Sequence, residues 1–174
     1  MQERGTVTAL SDEPVVVANR SGHAPGTRLL VAFAVTAAVV AADQLTKWWA
    51  TVHLAHGPIH LVGTLDLELA HNTGASFSLF EGQAAFLVPL AVLLVAVLTV
   101  MVWRASSMAR AATFGLILGG ALGNLCDRLF RGDHGAVVDF VALHFWPTFN
   151  VADASIVVGC VLLLISLVRG PRLP

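Results

Sequence analysis

Two aspartates sit where a solvated acid would be out of place. Asp139 lies in Val137-Val138-Asp139-Phe140, and Asp153 lies between Ala152 and Ala154, with Asn150 three residues before it. Two carboxylates brought together cannot both ionise easily, so they share a proton and their pKa values separate. One then acts as base toward water and the other as acid toward a leaving nitrogen. That suffices to hydrolyse a peptide bond with neither a metal nor a covalent step. Such a pair titrates as a unit, so separate roles are not assigned to its members.

Other polar residues stand close to apolar runs: Asp43 with Lys47, then Asn124, Asp127 and Arg128, then Asn150. Each also has a plain structural reading. Asp43 and Lys47 form an i,i+4 pair that neutralises itself on a helix. Asn124, Asp127 and Arg128 fit a helix end with a surface ion pair. Asn150 suits the N-cap of a following helix, and Gly119, Gly120 and Gly123 suit close helix packing. Two further chemistries have weaker signals. Gly74-Ala75-Ser76-Phe77 contains the Gly-x-Ser of a serine protease, but it lies outside the apolar runs and no histidine lies within them to act as base. His53, His56 and His60 are spaced like metal ligands, but Gly57-Pro58 interrupts any helix there and no His-Glu-x-x-His occurs. They read as loop histidines, and no metal or other cofactor is expected.

Four apolar segments must position these groups. They run from Leu29 to about Ala50, Ala84 to Trp103, about Ala111 to Leu129, and about Val151 to Val168. Each approaches the ~20 residues that carry a helix across a bilayer. Composition agrees: 56% of the 174 residues are hydrophobic and 12% charged, where a soluble domain carries roughly 25% charged residues. The net charge of −1 gives no reason to expect a nucleic-acid partner. Cys126 and Cys160 both fall inside apolar runs and read as small buried residues, not a disulfide. Residues 1–27 are polar and mixed in charge, and read as a disordered tail. Their acids, Glu3, Asp12 and Glu13, fit a cleaved signal peptide poorly, so the first apolar segment is expected to be retained. Residues 28–169 then form one membrane domain, followed by a short tail, 170–174.

The positive-inside rule sets the orientation. With a cytoplasmic N-terminus, Arg4, Arg20, Arg28, Arg104, Arg110, Arg169 and Arg172 lie inside and only Lys47, Arg128 and Arg131 outside. Both termini are then cytoplasmic. Trp48, Trp49 and Trp146 fall at the outer interface and Trp103 at the inner one. In the first outer connection, Leu65, Leu67 and Leu69 alternate with Asp66 and Glu68, the period of a strand with one apolar face. A small extracytoplasmic sheet between the first two helices is expected, its leucines toward lipid or substrate. Asp43 lies ~22 Å along the outward-running first helix. The third helix ends in its polar group and the fourth begins with Asn150 and Asp153. Acids, amides and an arginine thus reach one level of the membrane, where ionisable groups are costly and mark a functional site by default.

Five blocks carry a resemblance. Asp43-Gln44-Leu45-Thr46-Lys47, Asn72-Thr73-Gly74-Ala75, the run from Gly119 through Asn124 to Arg128, Val137-Val138-Asp139-Phe140 and Phe149-Asn150-Val151-Ala152-Asp153 resemble, in order, the motifs of lipoprotein signal peptidases (signal peptidase II). The resemblance covers about residues 28–169. It implies four transmembrane helices in a bacterial inner membrane and an aspartic endopeptidase with Asp139 and Asp153 catalytic at the outer face. The substrates it implies are diacylglyceryl-modified prolipoproteins, cut before the lipidated cysteine. It further implies that Asp43, Lys47, Asn72, Asn124, Arg128 and Asn150 bind substrate or orient the pair, with Arg128 bracing an acid or the oxyanion and Asp127 orienting Arg128. Prolipoproteins and membrane lipids are the expected partners, and the chain is expected to act as a monomer. The alternative is a proton-coupled carrier using buried carboxylates. A carrier needs polar groups along a path to both faces, and the inner halves of the spans are nearly featureless.

Overall fold

The computed structural model describes residues 24–74, 84–131 and 135–169. Helix α1 spans Pro25–His53 and is followed by strands β1 (Ile59–Val62) and β2 (Leu65–Asn72). Helix α2 spans Ala84–Trp103 and α3 Met108–Phe130. Strands β3 (Val137–Leu143) and β4 (Trp146–Phe149) lead into α4 (Val151–Val168). All four helices are long and apolar enough to cross a membrane. The expected tails fall largely outside the described residues, as do Ala75, Ser76 and Phe77 of the Gly-x-Ser segment.

Helix α1 exceeds its apolar run at both ends. Pro25 opens it, its fixed φ suited to a first helical turn, and the helix continues to His53 before Gly57 and Pro58. The boundary expected at 27/28 therefore lies inside the helix.

Helix α3 is the hub, packed against α1, α2 and α4. Its small residues permit this. A Cβ on Gly119 would lie 2.7 Å from Val39 Cβ of α1, and one on Gly120 would collide with the Ala152 carbonyl of α4. A side chain at either position would push a neighbouring helix away, so the glycines set the spacing that brings three helices together. Outward faces are apolar, as on α2 (Leu90, Leu93, Val97, Val100) and α4 (Val157, Val161, Leu164). Helices apolar on nearly all sides suit lipid contact. Cys160 belongs to that outward surface and is exposed, not buried as expected. Both cysteines are free thiols.

Arg28 Nη1 donates to the Ala105 carbonyl at 3.0 Å, which ties the start of α1 to the α2–α3 turn. Ser107 and Arg169 line one cleft, so the end of α4 lies there too. The core at this end is apolar: Ala32, Val102, Ala105, Ala111 and Phe114. The buried ionisable groups gather at the opposite end.

There the sheet differs from expectation. It has four antiparallel strands in the order β1-β2-β3-β4, so half of it comes from the connection between α3 and α4. Leu67 and Leu69 pack on Ala50, Leu54 and Phe140, and so face the protein instead of lipid or substrate. The period-two pattern marked the strand correctly. Its apolar face is consumed by the junction between sheet and helices. β3, paired on both edges and lying over α1 and α3, is buried from Val137 through Phe140.

Candidate active site

Asp139 projects from buried β3 and is 2% exposed. Its partner across the sheet is Ala70, and Asn72 stands two residues along β2 opposite Val137. That diagonal placement lets Asn72 Nδ2 donate to Asp139 Oδ2 at 3.0 Å. Asn72 Oδ1 accepts from the Gly74 amide, which fixes the amide's orientation. Asn150 Nδ2 donates to Asp139 Oδ1 at 2.6 Å and lies within 3.2 Å of the Val138 carbonyl. Burial, then the neighbouring charge of Asp153, pushes Asp139 up to about 6, although hydrogen bonds from Asn72 and Asn150 pull the other way.

Asp153 is held by the start of α4. Asn150 Oδ1 accepts from the Asp153 amide at 2.9 Å, and Asp153 Oδ2 accepts from the Asn150 amide at 3.2 Å, a reciprocal capping box. Asp153 Oδ1 accepts from Asn124 Nδ2 at 2.8 Å. The N-cap reading of Asn150 and its place beside the acids therefore both hold: its oxygen caps the helix and its nitrogen reaches Asp139. Asn124 completes the link, because its Oδ1 accepts from Asn150 Nδ2 at 3.1 Å and from Lys47 Nζ at 2.9 Å.

Behind this layer lies a closed ionic core. Lys47 Nζ is 2.9 Å from both Asp43 Oδ2 and Asp127 Oδ2, and all three side chains are fully buried. Arg131 Nε donates to Asp127 Oδ1 at 2.7 Å. Two carboxylates meet two cations, so the group is neutral overall, which makes its burial tolerable. The core also fixes backbone. Asp127 Oδ2 accepts from the Val138 amide at 3.1 Å, beside Asp139, and Asp43 Oδ1 accepts from the Ala152 amide at 3.0 Å, beside Asp153.

An open cavity of ≈ 280 Å³ brings together Asp139, Asp153, Asn72, Asn124 and Arg128, with Trp146 and Ile156 among its apolar walls. Asn150 touches both acids from behind. Asp43 and Lys47 do not line the cavity; they act on it through Asn124 and Ala152. Arg128 Nη2 donates to the Gly74 carbonyl at 3.1 Å. Among the described residues it forms no ion pair with either acid, though it lines the same cavity as both. Asp127 serves Lys47, Arg131 and Val138, where orientation of Arg128 was expected.

Sequence reading missed Gln44 and Arg131. Gln44 Nε2 donates to Asp127 Oδ1 at 3.0 Å and Arg131 Nη2 donates to Gln44 Oε1 at 3.2 Å. Gln44 stood inside a recognised block, and Arg131 is i,i+4 from Asp127, the same spacing that marked Asp43 and Lys47. The apolar wall from β4 carried no signal. Of the histidines, His53 stacks on Trp49 with ring centroids 5.1 Å apart. His60 Nδ1 and His144 Nε2 lie 2.5 and 3.1 Å from the two Asp66 oxygens.

Residues 35–169 match the family model for signal peptidase (SPase) II. The chain is 41% identical over 160 residues to a lipoprotein signal peptidase of Rhodococcus jostii, covering 86% of this chain and 81% of that one. It is 40% identical over 151 residues to a lipoprotein signal peptidase of Mycobacterium avium, covering 84% and 83%. A solved structure described as a bacterial membrane enzyme superposes with a TM-score of 0.72 at 26% identity, over 86% of this chain and 94% of that one.

Proposed function

Because the chain belongs to the signal peptidase II family, we propose that it removes signal peptides from bacterial prolipoproteins with Asp139 and Asp153 as an aspartic pair. One observation carries the catalytic part: Asn150 and Asn124 bind two carboxylates from different elements at one cavity. A water held between the acids loses a proton to the ionised carboxylate as its oxygen attacks the scissile carbonyl. The protonated carboxyl then gives its proton to the departing nitrogen, and the C–N bond breaks. The pair ends with one proton, as it began. Asn72, Asn124 and Asn150 hold the carboxylates without adding charge. Arg128, in the cavity wall, faces substrate carbonyls or the developing oxyanion.

The substrate reading follows from family and depth. The prolipoprotein carries diacylglycerol on the cysteine after the cut. Acyl chains in the bilayer and the signal helix on the other side of the bond hold that bond at the level of the pair. The arginine distribution supports a pair at the extracytoplasmic face of the inner membrane, with both termini cytoplasmic. The described lining of the cavity comes from one chain, which supports an enzyme that works as a monomer. A proton-coupled carrier is disfavoured by family membership and by the apolar core at the other end of the bundle.

The test uses purified enzyme with a lipidated precursor and its Cys→Ser counterpart, which cannot be lipidated. Cleavage of the first alone supports the reading. Equal cleavage of both removes the lipid from substrate selection.

A further inference from the structure

At the end of the bundle remote from the acids, α3 and α4 approach closely at Gly159, where a Cβ would lie 2.5 Å from Ile117 Cγ1 and 3.3 Å from the Thr113 carbonyl. Leu163 packs against the core of Ala111 and Phe114. Both helices also line a cleft of ≈ 580 Å³. Leu116, Leu162, Leu163 and Ile165 give it apolar walls, and Arg110 and Arg169 stand at its mouth. α3 begins at Met108 and α4 ends at Val168, so the mouth lies where spanning helices meet the headgroup layer.

The charge here is one-sided. Residues 84–126 and 154–174 contain no Asp or Glu, and among the described residues neither Arg110 nor Arg169 has an acidic partner. Arg110 is ordered nonetheless: its Nη1 donates to Ser106 Oγ at 2.7 Å, and its amide donates to Ser107 Oγ at 3.2 Å. The amide ends of the first turn of α3 favour anions and the last carbonyls of α4 oppose them, so the two guanidiniums carry the attraction. Paired guanidiniums over an apolar slot match a phosphodiester joined to acyl chains. Guanidinium binds phosphate oxygens in a forked geometry, and basic clefts between spanning helices on the cytoplasmic side suit anionic lipid headgroups.

We propose that the α3–α4 cleft is a binding site for one anionic phospholipid, its phosphate between Arg110 and Arg169 and an acyl chain against Leu116 and Leu162. The site rests on reading the four helices as membrane spans and is independent of the aspartic pair. Surface arginines that only set topology attract anionic lipid without a slot, and an isolated phosphate has no use for the apolar wall. Both differences can be tested.

Full-length protein in detergent is titrated with phosphatidylglycerol or phosphatidylcholine, and bound lipid is read by native mass spectrometry. One phosphatidylglycerol should be retained in preference to phosphatidylcholine. Arg110→Gln with Arg169→Gln should weaken that retention about tenfold or more. Ser166→Trp fills the cleft and keeps both guanidiniums, and should weaken it similarly. Equal retention of the two lipids would overturn the site, as would unchanged phosphatidylglycerol binding in Ser166→Trp. Displacement by glycerol phosphate at concentrations matching the lipid would also overturn it, making the ligand a free phosphate. Replacing Glu3, Asp12 and Glu13 with glutamine should change nothing; a several-fold gain in lipid binding would make the acidic N-terminal segment the occupant instead.

Discussion

Asn150 joins the two acids through opposite ends of one amide: its nitrogen lies 2.6 Å from Asp139 Oδ1, and its oxygen accepts from the Asp153 backbone at 2.9 Å. A change at Asn150 therefore has two separable consequences. Serine caps a helix about as well as asparagine but cannot donate across to Asp139. Asn150→Ser and Asn150→Ala should both lower cleavage at least ~10-fold, with loss of one ordered donor in the site. The alanine variant should be less stable than the serine variant by about 0.5–2 kcal/mol, the worth of a cap. Full activity in Asn150→Ser would reduce the residue to a cap.

Asn72 should control pH dependence. Asp139 sits at about 6 because of burial and the Asp153 charge, and Asn72 lowers that value by donating to the ionised form. A pair that must keep one proton loses its acid as the last proton leaves, so kcat/KM should fall as pH rises through an apparent value near 6. Asn72→Ala removes a donor to the carboxylate, and the descending limb should move to higher pH. A limb that stays fixed or moves down would contradict this coupling.

The same shift has a stability consequence. A carboxyl raised above its ordinary value in the folded state contributes stability in acid, and that contribution is lost as pH rises through the folded value. For Asp139, a rise from 3.8 to about 6 corresponds to roughly 3 kcal/mol. Asp139→Asn cannot ionise. Its stability relative to the parent should therefore grow between pH 4 and pH 8, measured by unfolding in mixed micelles. A pH-independent difference would show that Asp139 ionises without penalty.

Lys47 offers a test of position against contact with substrate. Its ammonium neutralises Asp43 and Asp127 and also holds Asn124. Lys47→Met leaves buried carboxylates short of a cation and should cost about 3–5 kcal/mol of stability. Loss of activity should come through kcat as Asn124 loosens its grip on Asp153. A variant of normal stability with only KM raised would restore the substrate-binding role.

Some of this was legible in the sequence and some was not. The four helices follow from apolar length, a local property. The acids followed from their neighbours, since Val138 and Phe140 leave Asp139 no solvated surface. The sheet was half missed because β3 lacks alternation: paired on both edges and covered by helices, it reads as an apolar run with one acid. Asp43 and Lys47 were expected at the site, but spacing along one helix could not show that Asp127, from another helix, closes the ion cluster behind the cavity. Arg128 and Asp127 are adjacent in sequence yet point to different partners, as neighbours on a helix do.

The most direct measurement is cleavage of a lipidated prolipoprotein by Asp139→Asn and by Asp153→Asn, each shown to be folded and inserted. Either change keeps the side chain's shape and removes the oxygen that gains and loses a proton. Each should lose at least ~10³-fold in rate, since neither half of an acid–base pair works alone. Near-normal turnover by either variant would contradict the aspartic assignment.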